Sequence, residues 1–247
     1  MIITDFIQPK WNKHKTNGYA NLAAQLRQEM GWYISDWLVH KVCKGLGIRS
    51  QARKQKYVNP GQEHIDFPNL IKGKWETTGP FQIIVTDTTI LKNKYNKLEL
   101  TMYIDVFNKE IICYSLSPSR NGNNYSGHMK ALKLFLAEKI KRGYASEETI
   151  LHSDQGSVYA SKAFFNAHNN HNIKRSMSRV GTPTDNPIIE ALNGWIKDDL
   201  YIDFDLFRST DMHSTITKYI NYYNSERLSY SLQYKTPTQY KCELGFI

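Results

Sequence analysis

From residue 81 to residue 200 the hydrophobic pattern changes period in a set order: strand, strand, strand, helix, strand, helix, strand, helix. Apolar runs at about 81–90, 98–107 and 109–116 read as strands, with Asn108 and its neighbours turning the second into the third. Residues 123–142 read as a helix with apolar positions at Met129, Leu132, Leu134, Phe135, Leu136 and Ile140, stopped by Gly143. A short strand follows at 149–151, then a helix capped by Ser161 and a fifth strand at 173–177. Asn186 and Pro187 open the next helix, to about Leu200, and 206–224 reads as a last long helix. Three strands in a meander followed by strand–helix crossovers imply an α/β fold, a five-stranded mixed sheet flanked by helices.

The segment before the sheet is different in kind. Residues 1–16 have no clear period, whereas 20–30 and 37–46 read as two short helices, the second capped by Ser35 or Asp36. A basic tail follows at 49–56, with Arg53, Lys54 and Lys56 as candidate phosphate contacts, so the region has the outline of a helix-turn-helix with an arm. Residues 57–79, with Pro60, Gly61, Pro68, Gly73 and Gly79, read as a linker. The expected organisation is 1–56 as a DNA-binding region, 57–79 as linker and 80–247 as the catalytic part. The formal net charge of +9 is concentrated early: residues 1–79 hold 12 Lys and Arg against 6 Asp and Glu. That balance favours a nucleic-acid partner over a membrane. Cys43, Cys113 and Cys242 have neither disulfide nor zinc spacing. With no apolar run of membrane length and no signal-peptide pattern, the expected location is the cytoplasm, at the nucleoid.

Three carboxylates carry the chemistry. Asp87 lies inside the apolar run Phe81–Ile90, where an unpaired carboxylate is costly. Asp154 follows the fourth strand in His-Ser-Asp-Gln-Gly-Ser, and Glu190 sits one turn into the helix that Pro187 opens, 35 residues further on. Two Asp on strand ends and a Glu on a helix suit hard divalent cations and two-metal phosphoryl transfer. Asp105, in Tyr-Ile-Asp-Val-Phe, has similar surroundings and reads as structural. Lys174, Arg175, Arg179 and Lys197 are candidate DNA contacts, Lys197 because it lies seven residues after Glu190 on one helical face. Ser176, Ser178 and Thr182 can bond phosphate oxygens. Asp198 and Asp199 read as solvated charges, and Tyr219, Tyr222 and Tyr223 as core aromatics.

Thr86-Asp-Thr88, His152–Ser157, Ser176–Gly181, Asp185-Asn186 with Glu190, and Tyr222–Arg227 with Leu232 together resemble the OrfB-type transposases of bacterial insertion sequences, the family named for insertion sequence three. The resemblance covers roughly residues 17–243. It implies an RNase H-like, integrase-like domain in which Asp87, Asp154 and Glu190 hold two Mg²⁺ ions, with Mn²⁺ able to substitute. The implied reaction is cleavage and transfer of strands of double-stranded DNA, both element terminal repeats and target, by a homo-oligomer and without a covalent protein–DNA intermediate. The chain departs from the family at Ile84, where a Trp is usual, at Ser229, where a His is usual, and at Ala191-Leu-Asn193, where aromatics are frequent. It also lacks the leucine-zipper region of fused family members, which implies an upstream-frame partner or fusion polypeptide. The competing readings are an RNase H-like nuclease and a degenerate relative that only binds element ends.

Overall fold

The computed structural model describes residues 3–52, 67–120, 124–154, 156, 158–179 and 186–246. Arg53, Lys54, Lys56, Thr182 and Asp185 lie outside the described residues. The chain forms two compact units, one of residues 56–193 with 241–247, the other of residues 1–55 with 194–240. Compactness thus groups the N-terminal helices with the 194–240 segment.

The first of these units holds the sheet. Strands β1 (Ile83–Lys92), β2 (Lys97–Asp105), β3 (Ile111–Pro118), β4 (Thr149–Ser153) and β5 (Ile173–Met177) are ordered β3-β2-β1-β4-β5. β1–β2 and β2–β3 are antiparallel, while β1–β4 and β4–β5 are parallel. This is the expected mixed sheet. The β1–β2 turn is set by Asn93, whose Oδ1 accepts the amides of Tyr95 and Asn96 at 2.9 and 2.6 Å. β2 stops at Asp105 because that buried carboxylate takes the amides of Phe81 (2.8 Å) and Phe107 (2.9 Å). Asp105 is therefore structural, as its sequence context suggests.

Helix α4 (Tyr125–Lys141) packs on β2 and β3. Asn124 caps it, accepting from the Gly127 amide, and is itself held through its own amide by Glu99. Leu132, Phe135 and Leu136 of α4 join Ile84, Tyr103, Leu151, Phe164 and Met177 in one core. Leu134 and Ile140, read as core-facing, are exposed, since they fall off the face that this core covers. Short α5 (Lys162–Asn166) is capped by Ser161, as expected.

In the other unit α1 (Ile3–Lys13), α2 (Tyr19–Met30) and α3 (Asp36–Gly45) bury Ile7, Leu22, Leu26 and Val39 together. Gly31, at φ +65°, ends α2, and Ser35 caps α3 by accepting from Leu38 N. α1 was not expected. Its polar residues and internal Pro9 hide the period, and it is held by packing of Phe6 and Ile7. Helix α6 (Pro187–Ile202) passes from one unit's residues to the other's, and α7 (Met212–Ser225) begins at its Asp211 cap rather than near 206. A 3-10 turn (Tyr230–Leu232) and α8 (Pro237–Glu243) complete the chain.

Asp199 and Asp198 are 0 % and 8 % exposed, so neither is a solvated charge. Asp199 Oδ2 pairs with Arg227 Nε at 2.5 Å and accepts from Tyr219 Oη at 3.3 Å. The Arg227 guanidinium also lies 5.3 Å from the Trp195 ring centroid. Tyr219, Tyr222 and Tyr223 are buried around this pair, as core aromatics. Among the described residues, no helix is long and apolar enough to cross a membrane.

Candidate active site

Strand alternation decides which way β1 presents its polar residues. Ile84 and Thr86 face the α4 side of the sheet: Ile84 enters that core, and Thr86 Oγ1 meets the Tyr159 hydroxyl at 3.3 Å. Thr88 continues the row, 2.8 Å from Thr101 and 3.4 Å from Tyr159. Asp87 falls on the opposite face, half-buried, level with Met102 of β2.

On the other side of β1, the parallel pairing runs Ile83–Ile150, Ile84–Leu151 and Val85–His152. Two further residues at the same offset bring Asp87 level with Asp154, just beyond the end of β4. Adjacent strands lie about 4.8 Å apart, so two residues level with each other on such strands are near neighbours. Tyr159 reports the same proximity. Burial pushes its phenol far up, and the charges of both Asp87 and Asp154 push it further.

Each carboxylate is held by a particular donor. Asp87 Oδ2 accepts from Asn193 Nδ2 at 2.6 Å. Asp154 Oδ1 accepts from the Gly156 amide at 2.9 Å. A Cβ at Gly156 would stand 3.0 Å from that oxygen and 3.5 Å from the Tyr159 ring, so the turn is tight enough to favour glycine there. Asn193 is three residues after Glu190, on the same face of α6. The sequence offers Asn193 only as a departure from an aromatic pattern; its reach to Asp87 depends on where the sheet sets α6.

Glu190 is exposed in the first turn of α6, and desolvation by the groups around it raises its pKa. Among the described residues, no three His, Cys, Asp or Glu side chains cluster closely enough to hold a metal. Asp154 lies just past the end of β4, whereas Asp87 sits in the middle of β1 rather than at a strand end; the two are level with each other, and Glu190 does not complete a ligand set with them. The donors fit a hard divalent cation in type, two carboxylates with no thiol or imidazole needed.

The candidate DNA contacts divide. Lys174 is exposed and pairs with Glu148 at 2.9 Å. Arg179 and Lys197 are half-buried. Arg175 is 6 % exposed and points into the core, so it cannot reach a duplex. Its place on β5, level with Leu151, puts it on the apolar side of the sheet. Ser176, fully buried, accepts from the Leu70 amide and bonds His152 Nδ1 at 2.8 Å, and Ser178 is buried as well. Neither is available to a phosphate. The Ser176 side chain bridges β5 to His152 of β4, and the Ser178 amide donates to the Ser153 carbonyl at 2.9 Å.

Comparison with known proteins agrees with this architecture. Models of the Integrase core domain match residues 77–183 and 171–237. InsK of insertion sequence element IS150 from Escherichia coli (strain K12), named as a transposase, is 31% identical over 225 residues, covering 91% of this chain and 77% of that protein. The transposase for insertion sequence element IS904 of Lactococcus lactis is 26% identical over 243 residues, covering 97% of this chain and 93% of its own. Among solved structures, the simian T-cell lymphotropic virus intasome, in complex with PP2A regulatory subunit B56 gamma, aligns over 90% of this chain and 70% of its own with TM-score 0.52 at 19% identity. The HTLV-2 integrase catalytic core domain in complex with magnesium, trimeric form, covers 66% of this chain and 98% of its own at TM-score 0.50 and 20% identity. At these identities the solved structures speak to the fold, which is RNase H-like.

Proposed function

Since the chain belongs to the insertion-sequence transposases built on an integrase core, it is a DDE polynucleotidyl transferase, and we propose that Asp87, Asp154 and Glu190 are its three carboxylates. The observation that carries this reading is the β1–β4 register, which continued by two residues brings Asp87 of mid-β1 level with Asp154 just past β4. Glu190, exposed in the first turn of α6, would join them as the third ligand.

Asp87 and Asp154 would hold Mg²⁺ or Mn²⁺, with Glu190 added, and two ions bound there would stabilise the attacking and leaving oxygens of a DNA phosphodiester. The protein's own groups prepare the site. Asn193 donates to Asp87 Oδ2 and fixes its rotamer. The Gly156 amide does the same for Asp154 Oδ1. Tyr159, wedged against Thr86 and Thr88, fills the space behind the pair, so that both carboxylates face outward to substrate. Lys197, Arg179 and Lys174 are offered to the phosphates of double-stranded DNA, with Arg53, Lys54 and Lys56 as contacts of the N-terminal region. We assign element terminal repeats and target DNA as substrates, a homo-oligomer on DNA as the working form, and an upstream-frame partner or fusion as a further component.

Purified protein with a labelled terminal-repeat duplex and Mg²⁺ should nick the duplex and join the 3′ end to target DNA. Asp87→Asn, Asp154→Asn and Glu190→Gln should each remove both products while leaving the far-ultraviolet circular dichroism unchanged. Retention of either product by any of the three would remove that residue from the assignment. Cleavage without joining would make the protein a nuclease.

A further inference from the structure

A positive charge is buried directly behind the carboxylate pair. Arg175 stands mid-strand on β5, level with Leu151, where the surrounding core residues are Phe164, Tyr159 and Met177. Its guanidinium lies 4.9 Å from the Phe164 ring and 5.9 Å from the Phe67 ring. Nη2 donates to Ser153 Oγ at 3.0 Å, while Nε and Nη1, both buried, have no partner among the described residues. No ion-pair partner of Arg175 is found among them either. Burying a guanidinium without a carboxylate is expensive, so something nearby must offset the cost.

Three groups act on Arg175 through charge: Tyr103, Tyr159 and Asp154. Both tyrosines are kept neutral by burial, which leaves Asp154 as the anion among them. Burial lowers the Arg175 pKa to about 10, and Asp154 opposes that shift, so the guanidinium stays charged at neutral pH. The physical link is short. Arg175 bonds Ser153, and Ser153 Oγ donates to the carbonyl of Asp154 at 2.9 Å. Asp87 acts on the same Tyr159 hydroxyl that Asp154 does. Two carboxylates this close repel each other when both are ionised.

We propose that Arg175 is the fixed counter-charge of the Asp87–Asp154 pair, a positioning residue that sets how tightly the pair binds a divalent cation. It ties β5 to the end of β4 through Ser153 before a cation arrives, and it weakens the bound state because like charges then face each other. The inference rests on the assignment of Asp87 and Asp154 made above.

The test uses the full chain without DNA and Mn²⁺ alone as the probe, with binding read from the free-Mn²⁺ electron paramagnetic resonance signal. Asp154→Asn serves as the control for the site. The wild type should bind Mn²⁺ saturably, and Asp154→Asn should lose that binding. Arg175→Gln should lower the Mn²⁺ Kd by about threefold or more, while Arg175→Lys should stay within about twofold of wild type because it keeps the charge. If Arg175→Gln does not fold, Arg175→Met, which refills the space between Phe67 and Phe164, carries the same expectation. A Kd unchanged or raised in the neutral variant, together with a lower melting temperature in EDTA, would make Arg175 structural only and overturn the proposal. Mn²⁺ binding that Asp154→Asn leaves intact would instead overturn the carboxylate assignment, and this inference with it.

Discussion

Arg227→Met is the sharpest test of how the 194–240 segment is held. Asp199 is fully buried, its Oδ1 has no partner among the described residues, and its Oδ2 is served by Arg227 at 2.5 Å and Tyr219 at 3.3 Å. Removing the guanidinium strands a buried carboxylate with one hydroxyl for company, a class of change that costs ~3–5 kcal/mol. A stranded buried carboxylate can limit its loss by taking up a proton. From an ordinary aspartate value of ~3.9, protonation at pH 7 costs about 4 kcal/mol, and at pH 5 about 1.5 kcal/mol. The loss of the cation–π contact with Trp195 adds ~0.5–2 kcal/mol at either pH. The variant should therefore be about 4–5 kcal/mol less stable than wild type at pH 7, and its deficit should shrink by about 2.5 kcal/mol at pH 5. The sign follows from linkage: a carboxyl raised in the folded variant favours folding at low pH and loses that advantage as pH rises. Urea unfolding followed by Trp fluorescence at the two pH values measures both quantities. A deficit under about 1 kcal/mol, or one equal at pH 5 and pH 7, would show that the ion pair does not carry the burial of Asp199.

Other consequences are equally direct. Burial holds His14 near a pKa of about 4, stacked 4.4 Å from Tyr222, so its contribution to stability is present above ~6.5 and is lost as pH falls toward 4. His14→Phe should keep the stacking and reduce the loss of stability between pH 6.5 and pH 4, measured by thermal melts. Lys139, 1 % exposed, donates to the carbonyls of Glu147 (2.6 Å) and His171 (3.0 Å). Lys139→Met should cost ~1–3 kcal/mol and speed amide exchange around 144–149 and 171–173. Gly127 packs against Ser117 so closely that an added Cβ would overlap the serine side chain. Gly127→Ala should lower stability by ~1–3 kcal/mol, and Ser117→Gly should recover part of that loss.

How much of this was legible from the residues alone depended on whether a feature was local. The succession of strands and helices along the chain followed from apolar runs and their turns, because strand period and Gly, Asn and Pro punctuation are written within ten residues of one another, whereas the strand order within the sheet is set by pairing between distant segments. Asp105 was separable from Asp87 for a related reason: a carboxylate beside a tight turn has amides to accept, and it took those of Phe81 and Phe107. What escaped was fixed by distant partners. Asp199 looked solvated because its partner is 28 residues away, and Arg175 looked like a phosphate contact because its neighbours on the chain are Lys174 and Ser176, whereas its neighbours in space are Phe67, Phe164 and Ser153. Asn193 belongs to the same class, since only the placement of α6 over β1 makes it a partner of Asp87. A charged residue in an apolar strand is thus ambiguous in sequence between surface and core, and the register resolves it: Asp87 shares the parity of Val85 and continues the β4 pairing toward Asp154, while Arg175 shares the parity of Met177 and enters the core. The same parity argument places Arg175 and the two carboxylates on opposite faces of the sheet, a separation that keeps the guanidinium dry while Asp87 is half-buried and Asp154 exposed.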